Sequence, residues 1–420
     1  MTATRTVRSP QPGPAPAEAV APAALAPDVL FVVSASLPDG PVDRPGPRKD
    51  YVAIARELGA AVLDYTDVER SAGGRLAGRL FGRAAGQAWV AFRRRRRYRA
   101  ILTDGEHIGL PLALLLKLAG DRRPHVTIGH RIATRRKAPF FRWLRADSHL
   151  SKIVLHSTLQ RRLAVSELGI PGERLALMPY QVDTDFWRPQ EGVPEERLIC
   201  SAGLEHRDYP TLFRAVDGLD VRLVVGAASY WSHQRNSAAA APPPPNVEIG
   251  SFNYDELRRL YARAAFVVVP LYDVDFQAGI TTILEAMAMG KAVIVTHTRG
   301  QFDVVEDRRA VTRGDPPRPR EPGLLHAFAA AHDLPVEPNG LYVPPGDPEA
   351  LRRAIAYLLE HPEERARLGA AGRRAVQSLM TVDQFAGRIG RLVRDAVADA
   401  DPAPDRVLAG PAARAPGRAS

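Results

Sequence analysis

The chain has 420 residues, 45% hydrophobic and 25% charged, which is the composition of a globular protein long enough for two domains. Its single cysteine, Cys200, excludes an intrachain disulfide or a Cys-based zinc centre and fits a reducing compartment. A net charge of +10 suits an anionic partner without specifying one.

Residues 1–27 are rich in Pro and Ala and lack the continuous apolar core of a signal peptide, so they read as a disordered tail, as do residues 401–420. Asp28–Val33 predicts a strand and Lys49–Leu58 a helix ended near Gly59. Ala61–Tyr65, Ala100–Thr103, Val126–Ile128 and Lys152–Leu155 are further strands with helical segments between them. This alternation predicts a doubly wound α/β sheet. The longest apolar stretch, Ile108–Ala119, is broken by Pro111 and Lys117 and is too short to span a bilayer.

Residues 71–100 contain no acid. Arg75, Arg79 and Arg83 share a helical face, with Leu76, Leu80, Phe81 and Trp89 elsewhere, and Arg93 to Arg97 follow in a row. The pattern suits an anionic membrane surface, and equally a solvated helix packed on the sheet. No nucleic-acid-binding module accompanies it.

The alternation pauses at Met178–Pro194, an interdomain linker, and resumes with a strand from Leu198 that holds Cys200 as a core thiol. A helix from Tyr209, strands Val221–Val225 and Val247–Ile249, and a helix Asp255–Ala264 follow. Ala238–Pro245 reads as a flexible loop. The expected organisation is a first Rossmann-like domain over 28–180 and a second over 190–380. A helix over 381–400 is expected to pack back on the first.

The densest functional signal is Phe266–Val295. A buried-strand run ends at Pro270, and a polar loop carries Asp273, Asp275 and Gln277. Gly279 then opens a helix whose Ile280, Ile283, Leu284, Met287 and Ala288 share a face. Such a helix start offers unpaired N–H groups to an anion at the C-terminal edge of a parallel sheet. Many helices of this kind bind nothing. Glu285, about one turn inside, is a carboxylate on an apolar helix and needs a partner. Only Gly129 separates His130 from the strand Val126–Ile128, so it should face the cleft, with His156 as its rival. Asp104 and Glu106 follow another strand and suit either the hydroxyls of a ligand or the cap of a helix before Ile108.

Five pieces in order carry a family resemblance. They are LALMPYQVDTDFWRP, SAGLEHRDYPTLFRAV, IGSFNYDELRRLYARAAFVVVPL, AGITTILEAMAMGKAVIV and NGLYVPPGDPEALRRAIAYLL, over roughly Leu175 to Met380. The chain resembles a GT-B glycosyltransferase of family 4, the retaining group 1 enzymes that use nucleotide sugars. The resemblance implies two Rossmann-like domains facing each other across a cleft, with the donor on the second. It implies that Glu285 binds the donor ribose and that the backbone of Gly279, Ile280 and Thr281 approaches the sugar and diphosphate. Arg207 stands where the family has a Lys against the diphosphate, with a solvated loop charge as the competing reading. It places Ser251 and Phe252 near the base and His130 near the acceptor and donor sugar. Lys291, at the far end of the helix, reads as structural.

Two departures stand out. Gln277 occupies the place of the first Glu of the family's pair and carries no charge to stabilise an anomeric cation; Asp275 or Asp273 are candidates to compensate. Leu204 replaces a usual Arg after Gly203, which leaves His206 as a substitute. The expected function is retaining transfer from a nucleotide sugar, used as co-substrate, to a lipid-linked, glycan or small-molecule acceptor. Catalysis would involve His130 and Gln277. No metal-ligand cluster is evident, and Arg207 with a helix terminus need not require a metal. A cytoplasmic location, with peripheral contact at the inner face of a membrane, is the accompanying expectation. The alternatives are a catalytically weakened sugar-nucleotide-binding or partner protein, motivated by Gln277, and a nucleotide-sugar epimerase.

Overall fold

The apolar runs become two six-stranded sheets in which every pairing is parallel. The structure is a computed structural model and describes residues 28–37, 46–226, 242–307 and 323–400. Both expected tails and part of the Ala238–Pro245 loop lie outside those residues.

The first sheet contains β1 (Val29–Val32), β2 (Ala61–Leu63), β3 (Ala100–Thr103), β4 (His125–Gly129), β5 (Lys152–Leu155) and β6 (Leu175–Leu177), in the order β2-β1-β3-β4-β5-β6. The second contains β7 (Leu198–Ala202), β8 (Arg222–Gly226), β9 (Val247–Gly250), β10 (Phe266–Val269), β11 (Ala292–Thr296) and β12 (Leu341–Val343), in the order β12-β11-β10-β7-β8-β9. The chain is thus α/β with two Rossmann-like units. Central strands such as β7 and β10 are buried along their whole length, because helices cover both sheet faces. Cys200 lies in β7, fully buried, and burial raises its thiol pKa.

Strand order reverses between β1 and β3 in the first sheet and between β7 and β10 in the second. Loops leaving neighbouring strands there diverge to opposite faces and open a crevice. Ser34 and Asp104 lie in the first crevice; Arg207 and Gly279 lie in the second. The final helix, Val382–Ala400, buries Phe385, Ile389 and Val393 against Ile54 and Val29 of the first unit. The i, i+4 spacing of those residues provides the apolar stripe.

Three elements escaped the periodicity reading: β6, β12 and the helix Leu324–Ala331. Strands of three residues are too short to display a period, and LLHAFAAA is apolar on nearly every side. The expected face of Arg75, Arg79 and Arg83 does not form as one helix. Gly82, with φ 91°, separates helices Ala72–Phe81 and Arg83–Arg94, and Arg83 folds over the Tyr65 ring.

Contacts across the cleft are polar and specific. Arg48 donates to Asp183 from its backbone N (2.8 Å) and from its guanidinium (3.0 Å), and also meets Asp185 and Asp383. The Met178–Pro194 stretch is therefore ordered, with Trp187 only 1% exposed. Arg131 meets Asp275 at 2.6 Å, and Lys49 donates to the Tyr254 hydroxyl at 2.9 Å.

Candidate active site

The helix Ile280–Ala288 starts where β10 ends, after a loop folded onto the turn that follows β11. Gly279 takes φ 77°, a conformation that leaves the first N–H groups pointing outward, and no side chain caps them. A Cβ at this position would also fall 2.8 Å from Val269 and 3.2 Å from the Arg207 guanidinium. Thr281 is exposed at this helix start, and Thr282 is buried beneath it.

Arg207 is only 3% exposed. Its guanidinium donates to the Ala202 carbonyl (2.9 Å), the Glu205 carbonyl (2.9 Å) and the Thr282 hydroxyl (3.1 Å). It is therefore not a solvated loop charge. One cation ties the loop after β7 to the helix after β10 and lies under the N–H groups, where a diphosphate would experience both.

Glu285 is half-buried and accepts from the Tyr261 hydroxyl at 3.4 Å. Burial pushes its carboxyl up to about 8, against the opposing pull of Tyr261, Lys49 and Arg207. Such a carboxylate gains strongly from hydroxyl donors. Lys291, at the far end of the helix, pairs with Glu195 at 3.5 Å. Phe252 lies across Gly250 and Gly226, while Ser251 is exposed.

The departures at the loop have visible causes. Asp275 is held by Arg131, and Asp273 accepts from the Arg299 backbone and side chain, so neither is free to replace a missing Glu. Gln277 donates from Nε2 to Asp303 at 3.2 Å, while its Oε1 is buried without a partner. Buried Thr298 and Gln301, on the adjoining turn, also carry unpaired side-chain atoms. Unsatisfied polar atoms at this density need water or a hydroxylated ligand to complete their bonding. His206 turns its ring edgewise to Phe276 at 5.2 Å.

On the first unit, Glu106 neither caps its own helix nor faces a free space. The helix Glu106–Leu118 has no side-chain cap, and Glu106 accepts from the backbone N of His130 (3.0 Å), the backbone N of Arg131 (3.3 Å) and the Lys137 ammonium. Burial opposes its charge, but Lys137 and His130 outweigh burial and hold the carboxyl down to about 2. It thereby fixes His130, which is exposed at the end of β4. His156 is a poor rival. It is 7% exposed, donates from Nδ1 to the Met178 carbonyl at 3.1 Å, and burial lowers its pKa to about 3.

Asp104 is half-buried at the crevice, its pKa raised by burial and by neighbouring Asp50. Asp50 was missed from sequence. It begins the helix Asp50–Leu58, accepts from Gln181 at 2.8 Å and also has a raised pKa, chiefly from burial. An acid in a first helical turn reads as an ordinary dipole partner, so only the fold reveals its closeness to Asp104.

The structure thus gathers Arg207, Gly279, Thr282 and Glu285 on one side, and Asp104, Glu106 and His130 on the other. Arg131–Asp275 and the Thr158–Asp303 contact connect the two sides. Among the described residues no group of three or more His, Cys, Asp or Glu could hold a metal, and no helix is long and apolar enough to cross a membrane.

This two-domain arrangement is the GT-B fold. HepE of Anabaena, solved with UDP and glucose, matches with TM-score 0.62 at 16% identity over 87% of this chain and 99% of its own. Sucrose-phosphate synthase of Thermosynechococcus elongatus matches with TM-score 0.59 at 17% identity, over 88% and 89%. The α,α-trehalose 6-phosphate synthase of Burkholderia multivorans matches with TM-score 0.58 at 13% identity, over 89% and 97%. A family model described as "Glycosyl transferases group 1" matches residues 206–321, which include the Arg207 loop and the Glu285 helix. The second unit thus carries the signature of a glycosyltransferase family, over residues 206–321, within a GT-B fold. No curated protein matches it by sequence.

Proposed function

We propose that this enzyme transfers a sugar, with retention, from a nucleotide sugar of the UDP-glucose type to a hydroxyl-bearing acceptor. The observation that carries the reading is the convergence of a buried arginine, an uncapped helix start and a carboxylate at the switch point of the second sheet. Arg207 and the N–H groups of Ile280 and Thr281 neutralise the diphosphate, and Glu285 accepts from the ribose hydroxyls. HepE, which shares the fold, has been solved with UDP-glucose, and this motivates the choice of nucleotide. Gln277 and His130 flank the donor sugar, and Asp104 accepts from the acceptor hydroxyl. Glu106 acts on His130 as its support. The leaving phosphate takes the acceptor proton while the protein supplies position and charge. No step requires a bound metal.

A thermal-shift panel of nucleotides and nucleotide sugars tests the reading, because a ligand bound only by the folded state raises Tm as its concentration exceeds Kd. UDP-glucose or a close analogue at about 100 Kd is expected to add about 2.7 kcal/mol of stability. A flat response across the panel contradicts the donor site. Gln277 favours one competing reading, a sugar-nucleotide binder that turns nothing over; binding without product on a broad acceptor panel would support it.

The acceptor class extends to lipid-linked molecules through residues 71–100. Leu76, Leu80 and Phe81 are 60%, 65% and 78% exposed, a run of apolar side chains beside basic ones. Arg94 and Arg95 are taken up by Asp67 and Asp121, while Arg93, Arg96 and Arg97 of the arginine row stay exposed beside the helix Ala72–Phe81. Co-sedimentation with vesicles containing phosphatidylserine is expected to exceed that with neutral vesicles. Replacing Leu80 and Phe81 by Ser should reduce it about tenfold or more, given about 1.5–3 kcal/mol for each buried side chain. Equal sedimentation of both proteins removes the membrane contact.

A further inference from the structure

Asp303 lies outside every motif described above, yet it is 1% exposed and joins three parts of the molecule. From the second domain it reaches across the cleft to the first turn of the helix Thr158–Ser166. There Thr158 donates from its backbone N at 3.0 Å and from its hydroxyl at 2.7 Å. The preceding Ser157 provides no side-chain cap, so the other domain caps this helix. Asp303 also accepts from the backbone N of Leu324 at 3.0 Å, at the start of a second helix, and from Gln277 Nε2 at 3.2 Å. Burial raises its pKa, but the N–H groups of Thr158 and Leu324 and the Thr158 hydroxyl oppose that rise and favour the ionised carboxylate, which can only accept. The Gln277 amide must therefore present its NH2 group to Asp303, and this leaves Oε1 fixed as the unpaired acceptor.

We propose that Asp303 is the positioning residue of the donor site. It orients Gln277 so that Oε1 receives a hydroxyl of the donor sugar, and through Thr158 it locks the two domains together. Gln277 and Asp303 form a matched pair. A Glu at 277 would set two carboxylates about 3.2 Å apart, so the glutamine is a requirement of its neighbour and not a decayed catalytic acid. This rests on the reading of residues 277–285 as the donor side of a transferase.

The test compares wild type, Gln277→Glu, Asp303→Asn and the double variant. It uses thermal unfolding without ligand, UDP affinity, and UDP-glucose hydrolysis or transfer. Gln277→Glu is expected to lower Tm by roughly 5 °C and to slow turnover more than tenfold, and the double variant should recover part of both. Asp303→Asn should raise KM for UDP-glucose about tenfold, the value of one oriented hydrogen bond, with UDP affinity within about twofold of wild type. A double variant no better than Gln277→Glu overturns the pairing. Parallel losses of UDP and UDP-glucose binding in Asp303→Asn reduce Asp303 to a purely structural role and overturn the positioning claim. If none of the four proteins binds UDP, the donor-site reading fails, and the ligand-free Tm cycle alone decides the pairing.

Discussion

Glu285→Gln is expected to cut transfer from the nucleotide sugar by about 100-fold while leaving the protein folded. A carboxylate that accepts from two ribose hydroxyls supplies on the order of 3 kcal/mol that a neutral amide does not, which corresponds to about 100-fold. The same substitution has an opposite effect on stability, and its sign follows from the carboxyl pKa. Burial raises that pKa from 4.5 to about 8, so between those values the folded protein holds a proton that the unfolded chain has released. Folded wild type is therefore progressively destabilised as pH rises from about 4.5 to about 8, and the Gln variant lacks this dependence. The variant should match wild type near pH 4.5 and exceed it at pH 9 in thermal unfolding. Bound ribose favours the ionised form, so donor affinity of wild type should rise up to about pH 8 and then level off. The variant should show a flat affinity profile. A variant with wild-type turnover would remove Glu285 from the donor site.

Arg207 is expected to produce the largest combined loss. Truncation to Ala leaves the acceptors at Ala202, Glu205 and Thr282 without their donor and opens a void under the helix start. The cost is about 3 kcal/mol or more, which shifts Tm downward by on the order of 5–10 °C. Arg207→Lys separates structure from ligand binding. Lysine retains the positive charge but cannot hold three divergent acceptors with one planar group. It should fold with an intermediate Tm and bind nucleoside diphosphate about tenfold more weakly. Wild-type affinity in a folded Lys variant would restrict Arg207 to bracing the loop.

The fold was legible because its strands are buried on both faces and therefore appear as apolar runs between helical stretches. The placement of the residues proposed for the donor was legible for a related reason. Gly279, Arg207 and Glu285 belong to short segments that immediately follow strands, so each could be placed at a sheet edge before the sheet was known. What escaped was whatever depends on the approach of distant segments. Asp303 finds Thr158 across 145 residues and Asp50 lies near Asp104 across the first crevice, with no local pattern to announce either contact. Glu106 illustrates the converse. Its position suggested a cap or an acceptor ligand, but Lys137 and two backbone N–H groups, brought in by the loop after β4, occupy it. Gln277 looked like a lost charge in the sequence, whereas in the structure a neighbouring carboxylate requires an uncharged side chain.

The most direct test of the donor site is calorimetric titration of the nucleotide sugar that gives the largest thermal shift, into wild type and into Glu285→Gln at pH 8. A donor site built on Glu285 predicts saturable one-site binding to wild type and about 100-fold weaker binding to the variant, with both proteins folded. Equal affinity for the two proteins would contradict it.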